Sequence, residues 1–176
     1  MMKSITLSLI LFCTLLLAAC TGLPQNITPV DNFSLERYQG KWYEIARLDH
    51  SFERGLNNIT AQYSLNEDGS VTVLNKGFND EEQQWSEAQG KAKFVDESDI
   101  GHLKVSFFGP FYSSYVVFKM DKQYYQYAYV SGYNTDYLWL LSRTPSISQE
   151  RKDDFIKAAK QRGFDTDSLI WVEQNK

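Results

Sequence analysis

Two cysteines and two histidines in a chain of 176 residues remove several chemistries at once. Cys13 falls inside an apolar run near the start and Cys20 ends it, so the body of the chain has no thiol for a disulfide or a thiolate-held metal. His50 and His102 are far apart and no HExxH-like spacing occurs, which leaves no case for a metal site or for any cofactor. Both histidines are expected at the surface. There is no G-x-S-x-G elbow and no phosphate-cradling glycine loop. Basic residues are the minority, 18 against 22 acidic, which argues against a nucleic-acid partner.

What is present begins with Lys3 and the run "ITLSLILFCTLLLAA", too short for a comfortable membrane span and placed as a secretory signal over residues 1–19. The run closes in "LAAC", Leu17 to Cys20, which resembles the lipobox of bacterial lipoproteins. The resemblance implies cleavage before Cys20, acylation of its thiol and amine, and a permanent anchor. A single acyl chain holds only marginally, whereas several chains add about 0.8 kcal/mol per buried methylene. Thr21, where inner-membrane lipoproteins carry aspartate, implies the outer membrane. In such an envelope the N-x-T triplets of "QNIT" and "NNIT" carry no glycan.

Removing residues 1–19 leaves 157, enough for one domain. Residues 20–32 are polar and proline-bearing, the composition of a lipidated tether, and 33–176 form the folded body. Eight runs rich in β-branched and aromatic residues follow, at about 42–47, 58–65, 70–78, 84–95, 102–108, 114–121, 124–131 and 136–142. Polar breaks separate them, including Asp68-Gly69, suited to a type I′ turn. Only "LDHSFERGLNN" is long. Short links predict an all-β antiparallel up-and-down meander, and closing eight strands into a barrel removes the exposed edges. In "SISQERKDDFIKAAKQRGFD" the period changes to that of a helix, with Phe155, Ile156 and Ala159 as its apolar stripe, Ser146 or Ser148 as its cap and Gly163 past its end. This helix is expected to pack outside the barrel, and "SLIWVEQ" to add a short last strand.

Gly40-x-Trp42 before the first strand, Thr135-Asp136-Tyr137 before the last and Arg143 just after it together resemble the three motifs of the lipocalin family. The resemblance covers about residues 32–174. "RYQGKWYEIARLDHSFERGL", "LKVSFFGPFY" and "DYLWLLSRTPSIS" are similar to the bacterial outer-membrane lipocalins. On this reading Trp42 floors the barrel and Gly40 lets the chain enter beneath it without a Cβ. Arg143 lies across the indole, and Asp136 starts a turn or satisfies backbone donors at the same closed end. These are scaffold residues, not catalytic ones.

With Trp42 inward, alternation places Glu44 and Ala46 inward too. The lipocalin register implies that Ala61, Tyr63, Val73, Asn75, Ala88, Val105, Phe107, Tyr115, Val117, Ala128, Val130, Tyr137, Trp139 and Leu141 do the same. Such a lining suits a fatty acid or a lysophospholipid. In "YVVFKM" local alternation turns Val116, Phe118 and Met120 inward, whereas the family register turns Tyr115, Val117 and Lys119 inward. Lys119 then either meets Glu44 or a ligand carboxylate, or reaches to water. The aromatic stretch "FFGPFYSSY", Phe107 to Tyr115, reads as a ligand gate, a membrane contact or a subunit interface, and the resemblance is compatible with a homodimer. Three functions follow: a lipid-anchored binding protein facing the periplasm, a lipocalin-fold enzyme acting on a lipid, or a structural lipoprotein with a filled barrel. Glu44 is the one inward carboxylate an enzyme would have.

Overall fold

The computed structural model describes residues 21–176; the signal segment and Cys20 lie outside the described residues. Eight antiparallel strands form the wall: β1 (Gly40–Arg47), β2 (Leu56–Leu65), β3 (Val71–Asn79), β4 (Gln84–Phe94), β5 (His102–Phe108), β6 (Phe111–Met120), β7 (Tyr127–Ser131) and β8 (Leu138–Ser142). Each pairs with the next, and β1 pairs with both β8 and β2, so the sheet closes. Among the described residues two α-helices, α1 (Leu35–Tyr38) and α2 (Gln149–Lys160), a 3-10 turn (Thr166–Ser168) and a two-residue strand, β9 (Ile170–Trp171), complete the fold. Sequence periodicity gave no sign of α1, a single turn capped by the Ser34 side chain.

The β2–β3 connection differs from the expected type I′ turn. Only Gly69 has a left-handed backbone (φ +75), and its N–H donates to Asn66 O at 3.0 Å. That is a three-residue loop ending in a left-handed glycine. Asp68 needs no positive φ because its carboxylate instead accepts from the backbone N–H of Ser70.

Two apolar layers hold the molecule together. The inner one contains Trp42, Tyr38, Tyr63, Val71, Val117 and Val130; the outer one packs Phe155, Ala158 and Ala159 of α2 against Ile45, Val116, Phe118, Tyr129 and Leu140. Ser148 is the α2 cap, accepting from Arg151 N, and Ile156 is half-buried while Ala158 takes its place in the stripe. Burying a residue such as Phe155 stabilises the outer layer by ~1.5–3 kcal/mol.

At the closed end the guanidinium of Arg143 lies 3.9 Å from the centre of the Trp42 ring. The same guanidinium donates to the carbonyls of Lys41 (2.8 Å), Arg37 (3.0 Å), Tyr38 (3.2 Å) and Tyr125 (3.3 Å), and the indole N–H donates to Tyr38 O at 2.8 Å. Gly40 has φ +90, and a Cβ there would stand 3.3 Å from Arg143 Nη1. Asp136, however, is at the other end. The β7–β8 loop opens at the mouth, where Asp136 is held locally by Asn134. The role expected of it belongs to Asp121 in the β6–β7 loop, whose carboxylate accepts from the N–H groups of Gln123, Tyr124 and Gln126. A strand-flanking Asp-Tyr pattern does not say which end of the strand it flanks, so sequence alone does not tell Asp121 from Asp136.

Residues 21–32 do not hang free. Val30 N donates to Val117 O and Val30 O accepts from Gly101 N, both at 2.8 Å, and Pro24, Ile27 and Val30 are buried. The C-terminal end patches the barrel. β1 pairs with β2 only from Gly40 to Tyr43; beyond that it pairs with β9, and Gln174 Nε2 bridges Glu44 O (2.8 Å) and Ile59 O (2.9 Å) across the gap.

Candidate functional site

The lumen holds a cavity of about 550 Å³, open at the end opposite Trp42. That size lies within the usual range of small-molecule sites. Of the residues expected to face it, Ala61, Tyr63, Val73, Asn75, Ala88, Val105, Phe107, Tyr115 and Trp139 line it, as do Glu44, Tyr137 and Leu141. Four others do not. Ala46 is turned outward into the layer beneath α2, because the β1–β8 register slips between Glu44 and Ala46 and breaks the alternation. Val117, Ala128 and Val130 point inward but are fully buried in the packed part of the core. No β7 residue reaches the cavity, which leans toward β2–β5.

A second slip, between Val117 and Lys119, resolves the β6 ambiguity. Val117 and Met120 join the inner layer and Val116 and Phe118 the outer one. Lys119 faces α2 and pairs with Asp154 at 2.8 Å, so neither a lumen contact nor free reach to water describes it. The histidines are buried rather than exposed. His50 stacks on Phe52 at 4.0 Å, and His102 lies near Ser114 and Asp96, with burial lowering its pKa against the pull of Asp96.

The floor of the cavity carries three joined hydroxyls. Tyr115 is the centre, 2.7 Å from the Tyr38 hydroxyl and 2.8 Å from that of Tyr63. Burial pushes all three phenols upward, so they stay neutral and the network satisfies itself. Tyr38 comes from α1, which is why sequence periodicity missed it.

The upper wall carries two carboxylates instead of one. Glu53, from the long β1–β2 loop, joins Glu44. Arg47 Nη1 donates to Glu44 Oε1 at 3.0 Å, and its Nη2 donates to Glu53 O at 3.0 Å. Glu53 Oε2 accepts from Trp139 Nε1 at 3.2 Å and stands 3.0 Å from His50 Nε2. Burial, and then the charge of Glu53, raise the Glu44 pKa well above its ordinary value against Arg47. On Glu53 burial is the largest influence and acts upward, but His50, Trp139 and Arg47 together outweigh it and bring the pKa down. The two neighbouring carboxyls are thus driven in opposite directions beside an apolar lumen, Glu44 up by burial and Glu53 down by its partners. Loops have no period, so Phe52 and Glu53 were legible only as members of an unusually long connection. On the wall below, Asn75 Oδ1 is buried with no partner among the described residues.

A model of the lipocalin-like domain matches residues 33–174. The chain belongs to the lipocalin family. This lipocalin is 56% identical over 165 residues to the outer membrane lipoprotein Blc of Vibrio cholerae serotype O1, covering 94% of this chain and 96% of that one. It is 49% identical to the protein of the same name from Escherichia coli K12, over 90% of each. Insecticyanin from the tobacco hornworm Manduca sexta has the same fold, with a TM-score of 0.70 at 20% identity over 88% of each chain. The protein is accordingly a lipocalin lipoprotein, lipid-anchored at the bacterial outer membrane, that binds hydrophobic ligands.

Proposed function

We propose that this lipocalin holds fatty acids or lysophospholipids, storing them or carrying them for upkeep of the envelope. In this reading Cys20 carries the acyl anchor, the barrel faces the periplasm and the protein is a binder, not an enzyme. The supporting observation is the 550 Å³ lumen: alanines and valines line its middle and Phe52, Tyr137 and Phe108 surround its mouth. An acyl chain desolvated there gains ~0.8 kcal/mol per methylene. The carboxylates on the wall are already tied to Arg47 and His50, which suits a passive wall better than an acid–base pair. The volume disfavours a barrel stuffed with its own side chains.

Two measurements test this. Mass spectrometry of the native protein should show acyl mass at Cys20 and a co-purified single-chain lipid. Titration with a lysophospholipid should quench Trp139 fluorescence saturably. A protein that is folded but binds no lipid or apolar dye overturns the reading.

A further inference from the structure

The β5–β6 hairpin ends in Phe108-Gly109-Pro110-Phe111 at the rim of the mouth, and its two phenylalanines are the most exposed large apolar side chains among the described residues, at 82% and 70%. Below this tip, on the outer wall, Lys93 and Lys104 stand directly opposite one another in the β4–β5 ladder. Like charges at that spacing repel. Neither is ion-paired among the described residues, and Lys104 Nζ stands 5.6 Å over the Tyr112 ring. The wall therefore carries a basic pair that an anion would relieve, four residues down β5 from an apolar tip.

The start of the chain arrives at the same place. The Gly22 carbonyl accepts from Ser114 Oγ at 2.7 Å, which pins the N-terminal segment to β6 three residues before its exposed end at Phe111. Those three residues span ~10 Å of strand. Two peptide units separate Gly22 from Cys20, a reach of at most ~7 Å. Gly22 thus lies level with Lys104, which faces Ser114 across the β5–β6 ladder, and the lysine pair and the phenylalanine tip share this wall with the tip outermost, as lysines and aromatic rings are disposed at a bilayer surface.

We propose that the β5–β6 wall is a bilayer-docking surface, with Phe108 and Phe111 inserted beside the anchored acyl chains and Lys93 and Lys104 on anionic headgroups, so that the mouth opens onto the membrane rather than into bulk water. This rests on the anchor at Cys20. The neighbouring β3–β4 turn carries Asp80, Glu81 and Glu82, and those carboxylates keep its side of the rim in water. The barrel therefore leans on one wall instead of standing mouth-down.

The test uses the acylated protein in vesicles of phosphatidylethanolamine and phosphatidylglycerol. A spin label on Gly109→Cys, where an added Cβ meets nothing within 4 Å, should be shielded from water-soluble relaxants and open to oxygen. Lys93→Glu/Lys104→Glu, which leaves every cavity-lining residue in place, should load lysophospholipid from vesicles about tenfold more slowly, the factor ~1.4 kcal/mol of lost docking gives. Its affinity for monomeric lysophospholipid in solution should stay unchanged. A water-exposed label overturns the proposal, as does one shielded without vesicles in a concentration-dependent way, which marks the tip as a contact between copies. An acyl-free Cys20 overturns the anchor and this proposal together. A shielded label on a protein that binds no lysophospholipid leaves docking intact and sinks only the ligand reading.

Discussion

At the closed end of the barrel a cation, Arg143, covers Trp42 and spends its donors on four carbonyls, and Asp121 ties down the β6–β7 loop that supplies one of them, Tyr125 O. At the open end Phe52, Phe108 and Phe111 have aromatic area and no comparable cover. Both ends are rich in aromatic rings. The difference lies in whether backbone acceptors converge on a cation beside the ring, and it teaches that composition alone does not separate a floor from a mouth.

The sharpest way to break this comparison is to unseat the floor. Trp42→Ala should cost ~3–5 kcal/mol, read in urea unfolding, because the indole is fully buried and its removal also leaves Arg143 over a void. Equal loss from Phe111→Ser would erase the distinction between the ends. Next in size, Ala88→Leu grows into open lumen, so stability should barely change while lysophospholipid affinity drops about tenfold or more, as lost burial of two methylenes requires. If binding survives, ligand does not occupy this part of the barrel.

Tyr115→Phe removes the central hydroxyl and leaves those of Tyr38 and Tyr63 without their shared partner, a loss of about 1–2 kcal/mol in thermal or urea unfolding. The smallest contrast is between two aspartates. Asp121→Ala should cost ~1 kcal/mol and Asp136→Ala no more than ~0.5 kcal/mol, since the second is a surface change on a locally held loop. Reversal of that order would return the closed-end role to Asp136.

The upper wall adds a pH signature. A raised Glu44 pKa means the folded state holds its proton more tightly, so stability falls as pH rises from the ordinary value of 4.5 to the folded one. Glu53, lowered, has the opposite sign: its contribution is present above 4.5 and is lost as pH falls through its folded pKa. Glu44→Gln should abolish the loss on the alkaline side and spare the acid side. Unfolding curves across this range that do not change on substitution would show the two carboxyls are not opposed.

How far the sequence reaches is visible along β1 and β6. Alternation from Trp42 to Glu44 is right and fails one step later at Ala46, because a bulge inserts a residue that no periodic count can anticipate. In β6 the family register holds through Val117 and local alternation holds at Met120, with the slip between them. Strands, closure and the outer helix were legible because burial imposes a period on them. α1, Glu53 and the folded course of residues 21–32 were not, since single turns and loops are fixed by tertiary hydrogen bonds.

The bridge that Gln174 makes between β1 and β2 has a consequence for the order of assembly. The strands of the wall follow one another in chain order from β1, yet the stave beside Glu44 is supplied by residues that lie beyond α2, far along the chain. Until they dock, the cylinder is unjoined along that line.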